Sequence, residues 1–259
     1  MPDAILLRRN AAIATVTLNN PGKLNALGLG SWKRLGEVMR ELDADKSLRC
    51  VVIRGAGDKA FAAGADIAEF EKTRNNSRAG KRYGNALEAT MGALGRCRHP
   101  IVAMIHGACV GGGLEVASQC DLRICGSSSR FGIPIKRLGL VVGYSEMKAL
   151  IDLVGRAAAL EILLEGRVFG AAEAKDMGLV NRVVPDDQVE EESMAAARRI
   201  AEGAPLVARW HKKFARRLAR SRPLSRSERD EAYACYDTDD FHEGVRAFIA
   251  KRKPEFEGK

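Results

Sequence analysis

The chain predicts an α/β fold followed by a smaller helical part. Three observations carry this. Short apolar runs, Cys50–Ile53 and Ile101–Ile105, read as strands buried on both faces. Amphipathic helical patterns lie between them, which indicates α/β alternation. After about Gly143 helical periodicity dominates to the end, apart from a short strand at Val180–Val184. The reading is a core over residues 1–200 and a helical region over 201–259.

The elements follow in order. Ile5–Leu7 and Ile13–Leu18 open as two short strands, and Asn19-Asn20-Pro21-Gly22 breaks the run. Ser31 is the expected cap of a helix carrying Trp32, Leu35, Val38, Met39 and Leu42 on one face. Gly55 to Gly64 reads as a glycine- and alanine-rich loop, and Asn75-Asn76-Ser77 as a polar loop. A second amphipathic helix covers about Gly80 to Leu94. The strand at Ile101–Ile105 leads into Gly111-Gly112-Gly113, where a helix begins and runs towards Cys120. No fixed-period repeat or low-complexity tract stands out.

The 259 residues suit one large domain or a domain with a small appendage. Apolar residues make up 46% and charged residues 29%, enough for a sizeable core and a well-solvated surface. No apolar run approaches the ~20 residues needed to cross a bilayer, so no membrane partner is expected. Met1–Asn10 lacks an apolar signal core, and a cytoplasmic location is the expectation. The six cysteines form no C-x-x-C pair and mostly sit in apolar runs, which reads as buried reduced thiols rather than a metal or disulfide framework. The net charge of +9 points to anionic partners and leaves nucleic acid, acidic membrane and phosphorylated small molecules open.

Two glycine segments invite ligand readings. Gly55-Ala-Gly57-Asp-Lys-Ala60 formally matches a dinucleotide fingerprint. That site needs a helix at the third position and an acidic strand end about 20 residues on, and neither pattern follows. Gly111-Gly112-Gly113 is more informative. Unpaired N–H groups at a helix start, without side chains in the way, suit an approaching oxyanion. Tight packing is the plainer reading of the same glycines.

Six segments, in order, resemble the enoyl-CoA hydratase/isomerase (crotonase) superfamily. Ala60-Phe-Ala-Ala-Gly64-Ala-Asp66-Ile67 resembles the family's CoA-holding loop, and Asn20-Pro-Gly-Lys-Leu-Asn-Ala26-Leu its early CoA-contacting turn. His106-Gly-Ala-Cys-Val-Gly-Gly-Gly-Leu-Glu115 resembles the segment that carries the second oxyanion donor and an acid. Arg130-Phe-Gly-Ile-Pro134, Ala171–Val180 and the terminal stretch from Thr238 match further segments. The resemblance implies a spiral of ββα units, a helical C-terminal trimerisation region, and trimers often paired into hexamers. It implies an acyl-CoA thioester as substrate, with CoA as part of that substrate and no separate cofactor or metal. Fatty acid metabolism is the implied setting.

Carried over residue by residue, the resemblance assigns catalysis to the Ala65 and Gly112 N–H groups and to Glu115 as general acid/base. Lys23, Leu24, Ala26, Ala63, Ala65, Asp66 and Ile67 become the CoA-binding positions. Asp66 is read as organising its loop, and Asp121 and Glu173 as structural. One departure stands out. Hydratases of the family carry a second glutamate after the proline matched by Pro134, and this chain has Ile135. Glu146 and Tyr144 are the candidates to supply a polar group instead. Hydration of a 2-enoyl-CoA is the nearest activity. Isomerisation, decarboxylation or other chemistry with a single carboxylate, or CoA binding with little turnover, are the alternatives.

The remaining signals carry less. His106 reads as a satisfied structural histidine, with support of the loop at Gly107 as the alternative, and His99, His211 and His242 show no ligand spacing. Between Pro205 and Arg222 stand seven Lys or Arg and no acid, with Leu206, Trp210, Phe214 and Leu218 recurring every four residues. This is a basic amphipathic helix. A solvated face, CoA phosphates and a neighbouring subunit are its possible partners. No RNA-binding module accompanies it, so nucleic acid is not expected. Phe241, Val245, Phe248 and Ile249 form an apolar face suited to assembly.

Overall fold

The computed structural model describes residues 3–219 and 221–259. Its elements are β1 (Ile5–Asn10), β2 (Ile13–Leu18), α1 (Leu29–Ala44), β3 (Cys50–Gly55), β4 (Ala60–Ala62), α2 (Phe70–Thr73) and α3 (Ser77–Arg96). Then come β5 (Ile101–Ile105), β6 (Ala108–Val110), α4 (Gly112–Ser118), β7 (Leu122–Gly126), β8 (Arg130–Gly132) and α5 (Tyr144–Glu165). The chain ends in β9 (Phe169–Gly170), α6 (Ala171–Asp176), β10 (Arg182–Val184), α7 (Val189–Glu202), α8 (Pro205–Leu218), α9 (Arg226–Asp230) and α10 (Asp239–Ile249).

Two sheets organise the core. One has the order β1-β2-β3-β5-β7-β10 and is parallel except for the β1–β2 hairpin. The other has the order β4-β6-β8-β9, with only β8 and β9 antiparallel. Each pass through β3-β4-α3, β5-β6-α4 and β7-β8-α5 adds one strand to each sheet and then a helix. This is the expected ββα spiral.

The central strands are apolar along their whole length because both faces of their sheet are covered. Side chains alternate across the sheet. Val51, Ile53, Ile101, Ala103 and Ile105 join Trp32, Leu35, Met39, Met91 and Leu94 in the larger core. Cys50, Val52, Val102, Met104 and Ile124 face the opposite way, against Val189, Ala196 and Ala197 of α7.

Several expectations are corrected at element ends. Ser31 does not cap α1. The helix starts two residues earlier, and the Glu69 carboxylate accepts the Leu29 N–H at 2.8 Å, capping it from 40 residues away. Asn75-Asn76-Ser77 is a helix start, since the Asn76 side chain accepts the Ala79 N–H at 2.9 Å. Strand β4 lies within the stretch read as the Gly55–Gly64 loop, and β10 is shorter than Val180–Val184. All six cysteines are unpaired and five are buried; Cys235 is half-buried. Burial pushes the thiols of Cys50, Cys120 and Cys125 up to about 12.

Basic helix α8 does not present a free cationic face among the described residues. Lys212 is buried, pairs with Asp121 at 2.6 Å and donates to the His99 carbonyl at 2.8 Å. Arg209 donates to the Lys46 and Leu48 carbonyls, Lys213 pairs with Glu231, Arg216 donates to the Gly95 carbonyl, and Arg217 clasps Glu228. Arg222 also stands 3.5 Å from Glu228. Arg220 lies outside the described residues. No described helix is long and apolar enough to cross a membrane.

Candidate active site

The site begins with a rigid turn. Leu24 and Asn25 both adopt left-handed backbone, at φ 49° and 59°. The buried Asn25 amide holds that shape by donating to the Ala56 and Ala60 carbonyls at 3.0 and 2.8 Å, and its oxygen accepts the Asn20 N–H. The turn then aligns with the next segment. The Ala63 N–H donates to the Leu24 carbonyl, and the Leu27 N–H to that of Gly64. Lys23 pairs with Asp66 at 2.6 Å, while Asp66 also caps the turn at Ala68.

Gly64 and the triple glycine meet here. Gly64 sits at φ +116°, where a side chain would strain the backbone, and a Cβ there would stand 3.8 Å from the Gly112 nitrogen. A Cβ on Gly113 would come within 2.2 Å of the Ala62 carbonyl oxygen, so α4 docks on β4 only through a glycine. Tight packing therefore holds at Gly113, and the Gly112 backbone borders the neighbouring cavity. Neither the Ala65 nor the Gly112 N–H donates to another group among the described residues. Two free backbone donors thus border one small space.

That space is a cavity of about 180 Å³. Ala63, Ala65, Ile67, Gly112 and Glu115 line it. Lys23, Leu24, Ala26 and Asp66 are not among its lining residues; they form the adjoining turn and its clip. Glu115 stands one helical turn after Gly112, half-buried on α4. Burial raises its carboxyl from the ordinary 4.5 to about 7; the Glu146 charge adds to the rise and Arg74 opposes it.

The departure at Ile135 is visible in the same cavity. Ile135 contributes an apolar wall, packed against the core. Glu146, from the first turn of α5, is buried and lines the cavity, accepting the Ser145 hydroxyl at 2.5 Å. Tyr144 is 96% exposed and is not among the lining residues, so the structure does not bring it into the site. Sequence reasoning misses Arg74, which joins the lining beside Phe70 and Leu87. Its only sequence signal is a cation in a short polar stretch, which resembles any surface loop.

The other named residues lie elsewhere. Ala60 opens strand β4, where a dinucleotide site would need a helix. Asp121 accepts the Ile101 N–H and the Lys212 ammonium, and Glu173 clasps Arg167, so both are structural. His99 is buried with both ring nitrogens unpartnered, and desolvation lowers its pKa to about 4.

Residues 8–259 match the family described as enoyl-CoA hydratase/isomerase. The chain belongs to that family. A protein of Mycobacterium tuberculosis named "probable enoyl-CoA hydratase" is 36% identical over 98% of each chain. The short-chain-enoyl-CoA hydratase of Clostridium acetobutylicum is 32% identical, over 97% of this chain and 96% of its own. A crystal structure of an enoyl-CoA hydratase/carnithine racemase from Magnetospirillum magneticum superposes with a TM-score of 0.98 at 48% identity, covering 100% of this chain and 97% of the other. The crotonase fold is therefore secured at the level of the whole chain.

Proposed function

We propose that the protein binds a 2-enoyl-CoA thioester and hydrates it, stabilising the enolate in an oxyanion hole formed by the Ala65 and Gly112 N–H groups. The observation that carries this reading is the pair of unspent N–H donors beside Glu115 in one cavity. As water adds to the β-carbon, electron density moves onto the thioester oxygen. Two preorganised donors lower the energy of that charge, by on the order of 3–4 kcal/mol for a strong single donor. A carboxyl with a pKa of about 7 exchanges protons readily in both directions near neutral pH. Glu115 takes the proton from the attacking water and returns a proton to the α-carbon as the enolate collapses, so that one water is added across the double bond. Glu146 lines the same cavity and is the proposed second carboxylate, entering from α5 where Ile135 cannot serve.

Lys23, Leu24, Ala26, Ala63, Ala65, Asp66 and Ile67 are proposed to seat CoA along the rim, largely through backbone groups. Chemistry that uses the enolate without adding water, such as isomerisation or decarboxylation, is the second reading, and the apolar Ile135 wall favours it. We further propose residues 201–259 as an assembly region giving trimers or hexamers. Phe248 and Ile249 are 86% and 75% exposed, and Phe241 and Val245 flank them on α10. The unpaired thiols fit a reducing, cytoplasmic setting.

The test is loss of the enoyl absorbance of crotonyl-CoA in the parent and in Glu115→Gln and Glu146→Gln. Hydration that collapses in both variants, with CoA affinity retained, is expected. Hydration untouched by Glu146→Gln returns the chemistry to a single carboxylate. No hydration by the parent, with turnover of a β-keto or malonyl-type ester, selects the second reading.

A further inference from the structure

Arg74 is a cation that the fold leaves without an anion. It follows the short helix α2, and its guanidinium carbon lies 3.6 Å from the Tyr83 ring centroid and 4.4 Å from that of Phe70. Two aromatic faces thus hold the side chain in place. Its Nε is buried with no hydrogen-bond partner, and among the described residues no carboxylate lies within ion-pair distance. Glu69, at the other end of α2, is already committed to capping α1. Arg74 lines the same cavity as Glu115 and Gly112, among Trp32, Phe70 and Leu87. The residue is half-buried and borders the cavity, so a ligand oxygen there meets a fixed positive charge that no carboxylate of the described residues neutralises. A carboxylate matches the fork of the guanidinium with two parallel hydrogen bonds.

We propose that Arg74 is a specificity residue that selects a short acyl-CoA whose acyl chain ends in a carboxylate. The inference rests on the reading that this cavity holds the acyl thioester. The cavity volume, about 180 Å³, is below the usual range for ligand pockets, which limits the chain to a few carbons. A neutral chain of equal length fills the same space and brings no carboxylate to the guanidinium. A chain ending in a quaternary ammonium meets like charge.

The test uses saturated thioesters, which report binding without turnover. Calorimetry compares glutaryl-CoA, pentanoyl-CoA and 4-(trimethylammonio)butanoyl-CoA on the full-length protein. The parent is expected to prefer glutaryl-CoA over pentanoyl-CoA by on the order of tenfold or more, with the cationic chain weakest. Arg74→Met removes the preference, and Arg74→Lys keeps part of it, as a point charge without the fork. Equal affinities in the parent overturn the proposal, and this comparison does not depend on any variant folding. Arg74→Met weakening all three ligands equally also overturns it, since the cation would then be holding CoA itself. If no enoyl ester is hydrated but the order of the saturated ligands stands, hydration fails and this inference survives. If no CoA ester binds at all, both fall together.

Discussion

The acyl cavity and helix α8 both concentrate charge, and they treat it in opposite ways. On α8, Lys212, Lys213, Arg209, Arg216 and Arg217 all end on carboxylates or carbonyls of the same chain. In the cavity, Glu115 and Glu146 both line the space and, among the described residues, form no ion pair, and Arg74 has no carboxylate partner. Lys212, Arg209 and Arg216 tie α8 to the core, and Lys213 and Arg217 tie it to the segment that follows. The sparse charge in the cavity remains unspent, and burial, helped by the Glu146 charge and opposed by Arg74, raises the pKa of Glu115. Unpaired charge, more than charge density, marks where a ligand belongs.

The strongest way to break this contrast is Glu115→Gln. If the unspent carboxylate is the acid/base group, crotonyl-CoA hydration should fall by ~10²–10⁴-fold. Affinity for CoA should change little, because the backbone donors remain. Steady-state rates with calorimetry separate the two effects. Undiminished turnover would remove Glu115 from the chemistry and leave the two N–H donors and Glu146.

Lys212→Met probes the other region. Removing a buried ammonium strands part of the Asp121 carboxylate and the His99 carbonyl. Breaking a buried ion pair costs about 3–5 kcal/mol, and the partial exposure of Asp121 argues for the lower end. Denaturant unfolding should show that loss, while kcat on the folded fraction stays near the parent value. A large fall in kcat with stability intact would place Lys212 in the chemistry and dissolve the contrast.

Much of this architecture is legible in the amino-acid sequence, and the reason differs by element. The strands at residues 50–53 and 101–105 are legible as short unbroken apolar runs between helical patterns. The ββα repeat is not. Its turns begin at residues 50, 101 and 122, so uneven insertions hide the period. Local rules assign the α1 cap to Ser31 because they see only nearby residues, whereas Glu69 arrives through tertiary folding. Glu115 and its two neighbouring donors come from family resemblance over contiguous motifs. Glu146 is one of two candidates in the sequence, and only the direction of α5 separates it from Tyr144. Arg74 is invisible there, because its meaning lies in which cavity it borders.

A titration sharpens the contrast further. Glu115 is raised to about 7, so its base form appears as pH rises through that value. The kcat/KM for hydration should rise over the same window. Glu146→Gln removes a negative neighbour and should move the midpoint of its residual activity down. Arg74→Met removes a positive one and should move it up. Stability has the opposite slope. The folded state keeps the Glu115 proton between about 4.5 and 7 while the unfolded chain loses it, so stability falls as pH rises through that window. Glu115→Gln should flatten this loss of about 1–3 kcal/mol, read by thermal unfolding at several pH values. A midpoint that moves the same way in both cavity variants would contradict the electrostatic account.

The smallest effect is expected from Lys213→Ala, one residue along from Lys212. Lys213 also forms an ion pair on α8, with Glu231, but its side chain is 56% exposed. Water solvates both partners well when they separate, and holding two flexible side chains together costs entropy. Exposed pairs of this kind contribute about 0–1 kcal/mol. Urea unfolding of Lys213→Ala beside Lys212→Met therefore compares two adjacent cations on one helix with burial as the main difference. Added salt should shrink the Lys213 effect further, since screening acts on exposed charge, and should leave the Lys212 effect nearly unchanged. Equal losses for the two variants would mean that α8 is held by its overall charge, and the distinction between spent and unspent charge would no longer separate scaffold from site.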